Sequence, residues 1–198
     1  KLKVLNRVDL SFEKGQCIAL IGPNACGKTT LIKCILGMVL PDSGEIMFNG
    51  VSIQNDDQYR THIGYMPQIG RYPDNMTVGQ IIETMKSIRK YKGDFDERLL
   101  EDFKLNEMFD KRMRTLSGGT TQKVSACLAF LFNPDVLILD EPTAGLDPLA
   151  SEVLKAKIIL EKEKGKLILI TSHLLSELDD LISEIVFMEI LANTLMEW

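Results

Sequence analysis

The chain has 198 residues, 45% of them apolar and 26% charged, with a net charge of −5. That length suits one domain with a buried core, and the acidic balance argues against a broad surface for nucleic acid or anionic lipid. No apolar run reaches the roughly 18 residues that span a bilayer.

The opening stretch Lys1–Phe12 alternates polar and apolar residues, so no leader is expected there. Its second half, Val8–Phe12, reads as a strand, and the continuous run Gln16–Ile21 as another. A helix is predicted over Lys28–Gly37, with Leu31, Cys34, Ile35 and Met38 on its inner face. Short strands follow at Glu45–Phe48 and Ile63–Met66. Between about Pro73 and Phe132 the pattern is helical. Val78, Ile81, Ile82 and Met85 mark one helix face, Asp96–Lys104 a second helix, and Gly118–Phe132 a third. Strand and helix then alternate again. Val136–Leu139 is a buried strand, Leu149, Val153, Ala156 and Leu160 form a helix stripe, Lys166–Ile170 is a strand, Leu174–Leu181 a helix and Glu184–Met188 a strand. This order predicts an α/β fold with a mostly parallel sheet and an inserted helical subdomain.

Two stretches carry chemistry. Gly22-Pro23-Asn24-Ala25-Cys26-Gly27-Lys28-Thr29-Thr30 fits G-x-x-x-x-G-K-[ST] between a predicted strand and a predicted helix. Its glycines let backbone N–H groups converge on phosphate oxygens, and the helix N-terminus adds its positive dipole end. Lys28 would reach the β- and γ-phosphates, and the Thr29 hydroxyl would ligate Mg²⁺. The second stretch is Val136–Pro142, an apolar strand that ends in Asp140 and Glu141. Asp140 is placed to hold Mg²⁺ through water, and Glu141 to polarise the water that attacks the γ-phosphate. Consecutive strand residues face opposite ways, but the strand ends here and Pro142 forces a turn, so both can serve one site. The four cysteines (17, 26, 34 and 127) include no C-x-x-C pair and the two histidines are far apart, which disfavours zinc and fits a reducing, cytosolic setting.

The whole pattern resembles the ATP-binding subunit of an ABC transporter, a phosphate-loop (Walker A) NTPase with an N-terminal antiparallel β part and a helical insert. Leu116-Ser117-Gly118-Gly119-Thr120 resembles the ABC signature at the start of a helix, with Thr120 where the family has glutamine. The resemblance implies that Ser117, Gly118 and Gly119 face the γ-phosphate bound by the opposite protomer; alone, the stretch reads equally as a turn and N-cap. Gln68 resembles the Q-loop glutamine that senses Mg²⁺ and attacking water, although in isolation it is a solvated loop residue. Asp147 resembles the D-loop aspartate that touches the partner, with a plain N-cap before Pro148 as the other reading. His173 resembles the switch histidine that contacts the γ-phosphate and orders Glu141; a lone histidine is otherwise structural. His62 is read as ordinary.

The resemblance further implies ATP and Mg²⁺ as cofactors, and a dimer of two such chains, identical or related. It also implies a separate transmembrane permease and a peripheral place on the cytoplasmic face of the membrane. The expected division is a nucleotide-binding core over residues 1–72 and 133–198 and a helical subdomain over 73–132. Asp140–Pro148 and the compact insert resemble exporter-type or ABC-2 subunits, and among them the ATPase of nitrous-oxide-reductase copper-site maturation. Other readings are a soluble ABC-type ATPase acting on nucleic acid or ribosomes, and a regulator that binds nucleotide without turnover. The first lacks a long coiled coil or a second cassette, and the intact Lys28, Asp140, Glu141 and His173 oppose the second. Ala25 and Cys26 stand where the family has glycine and serine or alanine; Cys26 is read as a small residue packed under the phosphates rather than as a redox thiol. The residue that stacks on adenine would fall at or before Lys1, and Ile190–Trp198 departs from the family pattern.

Overall fold

The structure, a computed structural model, describes residues 4–54, 56–172 and 181–189. In chain order its elements are β1 (Cys17–Ile21), α1 (Lys28–Ile35), β2 (Met47–Phe48), β3 (Val51–Ser52), β4 (Ile63–Met66), α2 (Val78–Arg89), α3 (Arg98–Asp102), α4 (Gly118–Phe130), β5 (Val136–Asp140), α5 (Pro148–Glu163), β6 (Leu167–Thr171) and β7 (Glu184–Phe187). The expected helix Leu174–Leu181 and the tail Ile190–Trp198 fall wholly or almost wholly outside the described residues.

Five strands form one sheet in the order β4-β5-β6-β1-β7, and every neighbouring pair is parallel. Continuous apolar runs make this possible, because a parallel strand is covered on both faces. Its alternate residues divide between two cores. Cys17, Leu137, Leu139, Ile168 and Ile170 pack with residues of α2, α3, α4 and α5, whereas Ile18, Leu20, Ile138 and Leu169 pack with Leu31 and Ile32 of α1 and with Tyr59. On the first face α4 comes so near β4 that a Cβ at Gly64 would collide with the Ala129 carbonyl oxygen. Only glycine permits that approach.

Helix starts follow their caps. Thr77 and Gln80 form a reciprocal capping box on α2, Ser117 caps α4, and Asp147 caps α5 with Pro148 behind it.

Three local expectations change. Val8–Phe12 forms no strand; it finds no ladder partner among the described residues, and Val8 and Leu10 are exposed. The expected N-terminal antiparallel part is present as the pair β2–β3. In α1 the buried face is Leu31, Ile32 and Cys34, with Met38 past the helix end and exposed. In α5 it is Ala150, Leu154, Lys157, Ile158 and Glu161, one position round from the expected stripe, and Leu149 is exposed. Two charged residues on the inner face conceal that stripe from a count of apolar positions.

Candidate active site

All five strands of the sheet are parallel, so the loops that leave β4, β5, β6 and β1 emerge at one edge, where ligands of such sheets bind. Along that edge lie Gln68 after β4, Asp140 and Glu141 at the end of β5, Thr171 at the end of β6 and Gly22–Lys28 after β1. Residues far apart in sequence thus meet because of register and direction.

The loop after β1 is tight. A Cβ on Gly22 would collide with the Met188 carbonyl oxygen beyond β7, and one on Gly27 would sit 2.9 Å from Leu5 Cδ2. Gly27 caps α1 with φ 107° and offers no side-chain acceptor, so the first N–H groups of the helix carry no side-chain cap. Lys28 is buried, and its Nζ donates to the carbonyls of Gly22 (2.6 Å) and Pro23 (3.1 Å). Cys26 is 3% exposed and its Sγ lies 3.8 Å from Lys28 Nζ. Pro23, Asn24, Ala25 and Thr29 are exposed and Thr30 is half-buried. Ala25 adopts a left-handed conformation with φ 65°.

Asp140 is buried, and its Oδ1 accepts from Thr171 Oγ1 at 2.5 Å. Among the described residues no lysine or arginine pairs with it, and no carboxylate pairs with Lys28. A buried anion and a buried cation, each without a counter-charge among the described residues, suit a site completed by a metal ion and a phosphate. Burial, with the Asp140 charge beside it, pushes the Tyr65 hydroxyl up to about 12. Glu141 is half-buried at φ 53°, and this left-handed residue breaks the strand alternation directly after Asp140. The turn expected from Pro142 therefore begins one residue earlier, at Glu141 itself.

The remaining residues stand on other elements. Gln68 is exposed on the loop that leaves β4; Gly70, two residues on, packs against Ser125 of α4, and the Tyr72 hydroxyl is hydrogen-bonded to Ser125 Oγ at 2.9 Å. Ser117 is exposed, and its Oγ accepts from Thr120 N at 3.2 Å as the α4 cap. A Cβ on Gly118 would meet nothing within 4 Å, whereas one on Gly119 would be 2.7 Å from the Gly145 carbonyl oxygen. The signature stretch therefore rests on the loop that carries Asp147. Asp147 caps α5 through Ala150 N (2.9 Å) and pairs with Lys123 Nζ (2.7 Å), which holds its carboxyl below the usual range. His62 pairs with Asp135 at 2.7 Å on the surface, as an ordinary histidine does. The expected switch histidine, His173, lies outside the described residues.

Two contributors were not foreseen from the sequence. Thr171 ends β6 one residue beyond the predicted strand, and its only sequence signal is a hydroxyl closing an apolar run. Lys123 ties α4 to Asp147, a link that requires the fold to be seen.

A parallel α/β sheet with a phosphate-loop helix and a carboxylate pair at its C-terminal edge defines a nucleotide-binding ATPase cassette. Residues 5–144 match the ABC transporter family, and the chain belongs to it. The Nod factor export ATP-binding protein I of Cupriavidus metallidurans is 36% identical over 186 residues, covering 90% of this chain and 60% of that protein. Thus the chain spans about six-tenths of the length of the curated relatives it matches first. The ATP-binding subunit of an ABC transporter superposes with a TM-score of 0.87 at 31% identity, over 94% of this chain and 81% of that one. A dimeric ATP-binding cassette in a post-hydrolysis state with ADP and phosphate superposes at 0.79 with 25% identity, over 94% and 88%. Among the described residues no helix is long and apolar enough to cross a membrane.

Proposed function

We propose that this chain hydrolyses ATP as one half of a two-site dimer and thereby drives a separate transmembrane permease on the cytoplasmic face of a membrane. The observation that carries the reading is the buried Lys28 ammonium on the Gly27-capped loop, together with the buried Asp140 carboxylate, neither with a counter-charge among the described residues. A nucleotide triphosphate with Mg²⁺ supplies both. Backbone N–H groups of Gly22–Thr30, with Pro23, Asn24, Ala25 and Cys26 shaping the turn, bind the phosphates, and Lys28 moves from its loop carbonyls to their oxygens. Thr29, Gln68 and Asp140 would hold Mg²⁺, which withdraws charge from the β- and γ-phosphate oxygens when bound. Glu141 takes a proton from the attacking water, and His173 orders Glu141 and the γ-phosphate.

The other half of the site comes in trans. Ser117 and Gly118 are exposed at the start of α4, on a different element from the phosphate loop after β1, which leaves them open to a second copy. On this reading Ser117–Gly119 close over a partner's nucleotide, with Asp147 at the same seam. Residues 1–72 and 133–198 act as the nucleotide-binding core. The helical unit 73–132 is joined to Gln68 through Gly70, Tyr72 and Ser125, and serves as the docking surface for the permease. An export role follows the Nod factor relative, and assignment to the copper-site maturation subtype rests on sequence resemblance alone. No direct nucleic-acid partner is part of this reading.

The test is Ser117→Arg. Hydrolysis should fall by roughly 100-fold or more, because the long arginine side chain sterically keeps the start of α4 from closing on the partner's phosphates. ATP binding to the monomer should remain near wild type; loss of binding would mean that Ser117 serves its own chain's nucleotide.

A further inference from the structure

We propose that Thr171 is a positioning residue for the hydrolytic centre: its single hydroxyl couples Asp140 to Glu141 and fixes both carboxylate-bearing residues to β6. The inference rests on the ATPase reading above and assigns it a residue that the phosphate-loop and D-E patterns do not contain.

Register brings the groups together. β5 and β6 run parallel with Asp140 opposite Thr171, so the last residues of the two strands stand side by side. Thr171 is 0% exposed. Its Oγ1 donates to Asp140 Oδ1 at 2.5 Å and accepts from the Glu141 N–H at 3.0 Å. The directions are forced, since an ionised carboxylate only accepts, a backbone amide only donates, and a hydroxyl has one proton. The same Glu141 N–H is shared with the Thr171 carbonyl oxygen at 3.2 Å.

Two consequences follow. Asp140 has one oxygen spoken for, so its carboxylate is held against rotation and presents Oδ2 in a fixed direction. Glu141 is pinned at φ 53°, a conformation that a non-glycine residue keeps only where its surroundings impose it. Packing alone does not call for this side chain. Valine has the same shape and an equal liking for strands, and it would fill the space without a buried polar atom. A hydroxyl here is useful only for what it bonds.

The experiment compares Thr171→Val, which keeps the shape, with Thr171→Ser, which keeps the hydroxyl. Mn²⁺ affinity is read by electron paramagnetic resonance on the chain saturated with a non-hydrolysable ATP analogue, analogue affinity is read in EDTA, and kcat and KM are read with ATP. Thr171→Val should weaken Mn²⁺ binding and lower kcat by about 10-fold or more, while KM and the EDTA affinity move less than about 3-fold. Thr171→Ser should recover Mn²⁺ affinity and kcat despite its missing methyl group. The inference is overturned if the valine variant matches wild type in both readouts, or if serine fails as badly as valine, which would mark a packing role. Failure of the underlying reading looks different: the wild-type chain itself would bind no analogue in EDTA.

Discussion

Ala25 and Glu141 are both non-glycine residues in the left-handed region, at φ 65° and 53°, and they carry that strain for different reasons. Glu141 is held by its amide bonds to Thr171, beside the carboxylate it accompanies. Ala25 is exposed at the tip of the phosphate loop, where a Cβ gains no packing. Ala25→Gly should therefore raise unfolding free energy by about 1 kcal/mol, read as a higher urea midpoint at unchanged m-value. An unchanged or lower midpoint would mean that the alanine methyl group contributes a contact of its own. The residues of the loop and of the D-E pair were legible in the sequence because their chemistry depends on neighbours along the chain. Thr171 was not, because its role depends on which strand lies beside it and in what register.

The elements most at risk of misreading were those whose inner face is charged. α5 buries Lys157 at 4% and Glu161 at 0% exposure, and Glu161 is bonded by Lys157 (2.8 Å), Lys164 (2.7 Å) and Lys166. Lys157 also pairs with Asp96, just before α3, so the cluster ties α5 to the helical region. Burial alone would push the Glu161 carboxyl up, but the three lysines outweigh it and bring it to about 2 from its ordinary 4.5. A folded value below the unfolded one stabilises the fold above pH 4.5, and that contribution fades as pH falls from about 4.5 towards 2. Glu161→Gln should flatten the stability profile in that window, whereas an unchanged slope would place the acid sensitivity elsewhere. At neutral pH, Glu161→Ala should cost about 1–3 kcal/mol, since Lys157 keeps Asp96 but the buried bonds to Glu161 are lost. Apolar periodicity cannot reveal such a face; it placed the α5 stripe one position away. Val8–Phe12 misled in the opposite sense, with strand-like alternation but no ladder formed with any described residue.

For the whole molecule, alternating strands and helices predicted a parallel sheet, and with it a single edge that gathers every strand-end loop. Here the sequence is most informative, because direction and order place Gln68, Asp140, Glu141 and Lys28 on one rim before any distance is known. In the proposed two-site dimer, the second half of the site comes from another copy of the chain. Ser117 and Gly118 are exposed at the start of α4, and Leu149 lies exposed beside Asp147. In the proposed dimer, ligand-driven closure between two copies would cover those groups and couple the nucleotide state to a membrane partner. Glu141→Gln tests this most directly, because it keeps the binding groups and removes the proposed base. In sedimentation velocity the variant should run as a monomer without nucleotide and as a stable dimer with saturating ATP and Mg²⁺. A variant that binds ATP yet remains monomeric would contradict the two-site account.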